Sequence, residues 1–139
     1  MNSAVPLDID QRLKTLGDTL ERLCPDVEFA YLFGSRGRDC ATPRSDIDLA
    51  IYVSPAADEG DVRLEAARAG AAHLGTDAID MIALNTAPIA LAGRVLSSRR
   101  VLLDRDPFLR HRYESSTARL FQDFRIREHR LLTERYSHG

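Results

Sequence analysis

Two aspartates one residue apart, Asp46 and Asp48, follow a Gly34-Ser35 pair after ten intervening residues. An apolar run from Tyr31 ends in the glycine and serine, a polar loop follows, and a second apolar run opens with the two acids and continues to Val53. Residues i and i+2 of a strand point to the same face, so the two carboxylates stand side by side. Such a pair repels itself unless a cation sits between the groups or one of them takes a proton. A Gly-Ser turn beside the pair offers backbone N–H groups to a phosphate. Together these residues suggest a site for a metal-bound nucleoside triphosphate.

Holding such groups in place requires a sheet, and the apolar periodicity supplies one. Asp8 is placed to cap a helix whose stripe is Ile9, Leu13, Leu16, Leu20 and Leu23, and Pro25 ends it. Val27 to Phe33 reads as a strand with Val27, Phe29, Tyr31 and Phe33 on one face. Ile47 to Val53 reads as the next, burying Ile47, Leu49, Ile51 and Val53. Asp58 to Leu74 has a helical stripe of Leu64, Ala67, Ala71 and Leu74, closed by Gly75. Ala78 to Leu84 is a third strand, with Ile79, Met81 and Ala83 on one side and Asp80 on the other. A short helix from Pro88 to Ser97 and a short edge strand from Arg100 to Leu103 follow. Asp106-Pro107 then starts a long last helix with a stripe of Leu109, Tyr113, Leu120, Phe121, Phe124 and Leu131. The expected fold class is α+β: one domain over residues 1–139, a small mixed sheet flanked by helices, with a C-terminal helix within 105–139.

The bulk properties fit an ordinary soluble domain, at 44% hydrophobic and 29% charged residues. No apolar run approaches a membrane span and no signal peptide opens the sequence, so no membrane association and a cytoplasmic location are expected. Cys24 and Cys40 lack metal-ligand spacing and read as free thiols. His73, His129 and His138 are isolated, without metal-ligand spacing, and read as surface or core residues. The net charge of −2 conceals a balance of −7 over residues 1–93 and +5 over 94–139. A single lysine, Lys14, stands among 18 arginines. Arginine suits phosphate clamping, but most of these residues read equally as a solvated helix face.

The Gly-Ser pair, the spaced Asp46-Ile47-Asp48 and the later strand acid Asp80 resemble the DNA polymerase β-like nucleotidyltransferases. The short length and the phrase from Thr42 to Ala50 resemble the minimal nucleotidyltransferases (MNT), many of which are antitoxins paired with all-helical HEPN toxins. Two departures are visible: the family often has Ala where this chain has Gly37, and Gly where it has Asp39. The resemblance implies that Asp46, Asp48 and Asp80 are catalytic and bind Mg²⁺ in a two-metal site. It also implies that ATP is the substrate. Gly34 and Ser35 would bind its phosphates, with Arg36 and Arg44 in the same loop as possible clamps. Asp80 would accept the proton of the attacking hydroxyl.

The sheet and its helices consume nearly the whole sequence, leaving little for an acceptor-binding module. This favours an acceptor presented by a partner protein. By resemblance, the chain binds a HEPN ribonuclease toxin and transfers AMP from ATP to a toxin tyrosine, with direct nucleic-acid binding not expected. A small-molecule, antibiotic-type nucleotidyltransferase and a non-catalytic binding antitoxin are the alternatives. One motif points elsewhere. Arg105 with His111-Arg112-Tyr113 resembles the Arg…His-x-Tyr motif of HEPN ribonucleases. That motif belongs to an all-helical fold, and this chain begins with a mixed sheet, so the match reads as coincidence.

Overall fold

The computed structural model describes residues 5–37 and 46–137. Its elements are α1 (Ile9–Leu23), β1 (Val27–Phe33), α2 (Gly34–Gly37), β2 (Ile47–Val53), α3 (Glu59–Leu74), β3 (Ile79–Ala83), a 3₁₀ turn (Leu84–Thr86), α4 (Ile89–Ser98), β4 (Arg100–Asp104) and α5 (Pro107–Ser137). The strands form one four-stranded sheet in the order β3-β2-β1-β4. β1 runs antiparallel to both β2 and β4, while β2 and β3 are parallel. Asp39, Cys40, Arg44 and His138 lie outside the described residues.

Each face of the sheet carries its own core. On one side Ala30 and Leu32 of β1, Ile47, Leu49, Ile51 and Val53 of β2 and Met81 of β3 pack with Leu13, Leu16 and Leu20 of α1 and Val62, Ala66 and Leu74 of α3. On the other side Phe29, Tyr31 and Phe33 pack with Ala50, Leu84 and Val95, under Tyr113 of α5. Burial on both faces explains why β1 and β2 read as near-continuous apolar runs. The pattern also decides where the acids go: on β2 and β3, residues alternate with those of the α1–α3 core, so Asp48 and Asp80 emerge on the α4–α5 side.

Four expected stripes differ in detail: Leu23 at the end of the α1 stripe and Leu120 and Leu131 of the α5 stripe are exposed, and those of β1 and α3 shift. Val27 joins the α1–α3 core rather than sharing a face with Phe29. The register shifts between Val27 and Phe29, and an irregularity of this kind breaks strict alternation. On α3 the buried positions are Val62, Ala66, Gly70 and Leu74, whereas Leu64 is 46% exposed. The small side chains at 66 and 70 let the helix lie close on β2 and β3, and this packing sets its rotation more strongly than the larger but outlying Leu64. Asp106 caps α5 through Leu109 N–H, whereas the Asp8 carboxylate takes Arg12 Nε instead of a helix N–H. His73 joins α3 to α1 through the Thr15 and Thr19 hydroxyls, which accounts for it structurally.

α5 is fixed to the sheet by a partly buried polar node. Glu114 accepts hydrogen bonds from Tyr31 Oη at 2.7 Å, Arg99 Nε at 2.9 Å and Arg110 Nη1 at 2.9 Å. Arg110 also donates from Nε to Asp104 Oδ2 at 2.8 Å. Burial raises the pKa of Glu114, but the hydrogen bonds from Tyr31 and Arg110 and the charges of Arg99 and Arg110 outweigh it, and the net shift is downward.

Candidate active site

Strand pairing brings the acids together. Asp48 of β2 lies directly opposite Asp80 of β3, and Phe33, the last residue of β1, flanks Asp48 on its other side. Asp48 is half-buried, while Asp80 and Asp46, which immediately precedes β2, are exposed. Partial burial raises the pKa of Asp48, and the neighbouring charges of Asp80 and then Asp46 raise it further. The site therefore holds negative charge that its own surroundings oppose.

The chain turns sharply over this carboxylate. Gly34 has φ 74°, and a Cβ built there would stand 2.5 Å from Asp48 Oδ2. Both the left-handed backbone and the close approach require glycine. Ser35 follows in the helical turn α2. Gly34 N–H donates to Ser98 Oγ at 2.9 Å, and Ser98 Oγ makes a longer 3.3 Å contact to the Arg94 carbonyl. Gly37 closes α2 onto α4, because a Cβ there would collide with the Ser98 carbonyl oxygen. The glycine at 37 is thus accounted for by helix–helix contact within this chain.

A cleft of about 410 Å³ opens over these groups, walled by Gly34, Asp48 and Asp80 on the sheet side and by Arg94, Ser97 and Ser98 of α4 on the other. Asp48 and Asp80 both face this space and suit a hard cation that keeps coordination positions for substrate oxygens. Among the described residues, no group of three acidic, histidine or cysteine side chains is placed to hold a metal ion. A site that draws part of its coordination from substrate phosphates does not require one.

Arg36 does not enter the cleft. Its side chain is only 6% exposed and lies 4.0 Å from Asp10, in a cavity shared with Lys14 of α1 and Arg100 of β4. In a helical turn Arg36 is rotated by about 200° from Gly34, which carries it to the far side of the sheet edge. Arg94 and Ser98 stand in the cleft instead. Nothing in the sequence singled them out, because the face that α4 turns to the sheet depends on packing.

The same helix borders a second concavity. A groove of about 820 Å³ runs between α4 and α5, lined by Leu96, Phe121, Arg125 and Ile126 among others, and Ser97 lines both it and the cleft. Arg105, by contrast, is structural: its guanidinium donates to the carbonyls of Glu21, Cys24 and Val27, tying β4 to the end of α1. Tyr113 packs edgewise on Phe29 and Tyr52. The HEPN-like motif residues Arg105 and Tyr113 thus serve the packing of a mixed sheet.

A sheet with paired strand acids beneath a Gly-Ser turn has a counterpart among known families. The family model described as polymerase beta, nucleotidyltransferase matches residues 14–108. The chain belongs to this family. The matched span of the nucleotidyltransferase runs from within α1 to the start of α5 and contains every site residue named above. No curated protein matches the sequence. Among solved structures, the nucleotidyltransferase is similar to a chain of the toxin–antitoxin MntA-HpeT in mutant form. The TM-score is 0.71 at 20% identity, over 88% of this chain and 96% of that one. A toxin–antitoxin structure with AMP-PNP gives 0.69 at 23% identity, over 88% and 96%. The Shewanella oneidensis complex of a tri-AMPylated HEPN toxin with its MNT antitoxin gives 0.66 at 21% identity, over 91% and 97%. These likenesses establish a shared fold. No helix among the described residues is long and apolar enough to cross a membrane.

Proposed function

We propose that the chain is an antitoxin that transfers AMP from ATP to a tyrosine of a HEPN-family toxin. The observation that carries this reading is the register pairing of Asp48 with Asp80 beneath the Gly34 turn. Family membership and the fold shared with toxin–antitoxin chains support it. Gly34 and Ser35 receive the triphosphate where the backbone has no side chain to keep it away. Mg²⁺ held by Asp46, Asp48 and Asp80 would neutralise the phosphates and lower the pKa of the attacking hydroxyl. The tyrosine oxygen forms a bond to the α-phosphorus as the bond to the bridging oxygen of the β-phosphate breaks. Pyrophosphate leaves, and Asp80 accepts the tyrosine proton. By the family resemblance, Arg44 would be a further phosphate clamp.

The acceptor reaches the cleft from a partner. The groove between α4 and α5 meets the cleft at Ser97, so a partner helix seated in the groove brings a side chain to the acids. A tyrosyl-AMP adds a phosphate charge where an RNA backbone must dock, and the toxin loses its substrate. The test is the intact mass of the partner after incubation with the chain, Mg²⁺ and ATP. Added AMP is expected, whereas an inhibited partner of unchanged mass would reassign the function to binding alone.

A further inference from the structure

We propose that Arg94 is the cation that grips the triphosphate tail, a role the loop arginine Arg36 is placed too far away to fill. This rests on the nucleotidyltransferase reading and adds a phosphate-binding residue to it. Arg94 walls the cleft directly across from Gly34, Asp48 and Asp80, and it is the only cation among the described residues that does so. It belongs to a face of α4 that presents Leu91, Arg94 and Ser97–Ser98 to the cleft, a spacing that lines up along one side of a helix. The Arg94 side chain is exposed, and among the described residues its guanidinium forms no ion pair.

The base of this side chain is held firmly. Ala92, Val95 and Ser98 are buried on either side of it, and its carbonyl is joined through the Ser98 hydroxyl to Gly34 N–H. The Arg94 backbone and the Gly34 turn are therefore linked through one hydroxyl, and the exposed Arg94 side chain lines the cleft. The electrostatics require such a group. Two carboxylates, Asp48 and Asp80, and a triphosphate would share one small cleft, and a divalent ion bound by the acids offsets only part of that charge. A planar guanidinium grips phosphate oxygens in pairs, and a donor on a rigid helix loses little freedom in doing so.

Binding to the full chain separates this role from the others. Titrations with Mg²⁺ and each of α,β-methylene-ATP, tripolyphosphate and AMP are run on wild type, Arg94→Ala and Arg94→Lys. Alanine is the best helix former, and thermal denaturation of each variant verifies folding. Arg94→Ala is expected to weaken both triphosphate probes by about 10- to 100-fold and to leave AMP within about twofold, with Arg94→Lys in between. Equal affinity of wild type and Arg94→Ala for the triphosphate probes would overturn the proposal while leaving the nucleotidyltransferase reading intact. Intact probe binding with loss only of transfer to a protein would also overturn it, and would place Arg94 on the acceptor side. Failure of wild type to bind either triphosphate would overturn both.

Discussion

At the residue scale, the site is defined by what surrounds one carboxylate. Asp48 is partly buried, opposite Asp80, near Asp46 and directly under Gly34. Its raised pKa has a stability consequence whose sign is fixed. The folded state favours the protonated form, so the contribution of Asp48 is most favourable below the ordinary carboxylate range and is lost as pH rises through the raised value. In a chelator at neutral pH, Asp48→Asn is therefore expected to raise the melting temperature. Added Mg²⁺ should stabilise wild type and leave the variant unmoved, and a destabilised Asp48→Asn protein would contradict this electrostatic account. The acids themselves were legible in the sequence, because strand alternation alone puts Asp48 and Asp80 opposite the core residues of β2 and β3. The cation that lines the cleft, Arg94, was not. Arg36 and Arg94 differ by helix rotation and packing, which a run of residue types does not encode.

At the element scale, α5 is an addition whose seating depends on Glu114. The node draws Tyr31 from β1, Arg99 from the α4–β4 connection and Arg110 from α5 itself. Tyr31 is fully buried, so Tyr31→Phe leaves the half-buried Glu114 carboxylate short of a donor. A loss of about 1.5–3 kcal/mol in unfolding free energy is expected, measured by urea denaturation. Because the Glu114 pKa is depressed, its contribution is present above the ordinary glutamate range and lost as pH falls through the lower folded value. The gap between wild type and Glu114→Gln should accordingly narrow in acid, and a gap independent of pH would contradict the node. Most elements were readable from periodicity, including the edge strand β4 and the start of α5. The failures at Val27 and Leu64 share one cause: a register shift and a close helix–sheet approach are tertiary facts that override local pattern.

At the scale of the whole molecule, the two cores leave one surface unaccounted for. α5 has 31 residues and extends about 46 Å, well beyond the sheet it starts on. From its middle outward Leu120, Ile126, Leu131 and Leu132 are 58%, 49%, 61% and 50% exposed. The sequence placed Leu120 and Leu131 in a stripe; the structure leaves both exposed, on a different side of α5 from Ile126, which lines the α4–α5 groove. Under the proposed function the exposed end of α5 is where the toxin sits. Ile126→Glu with Leu131→Glu is expected to change unfolding free energy by no more than about 0.5 kcal/mol per site while abolishing co-purification with the toxin. Retained binding would move the interface elsewhere. The central claim concerns the acids, and one measurement addresses it most directly: the intact mass of the toxin after mixing with ATP, Mg²⁺ and either wild-type chain or Asp48→Asn, with complex formation followed in the same samples. Wild type should add the mass of AMP to the toxin, and Asp48→Asn should bind the toxin without changing its mass. AMP transfer by Asp48→Asn at the wild-type rate would contradict the assignment of the site.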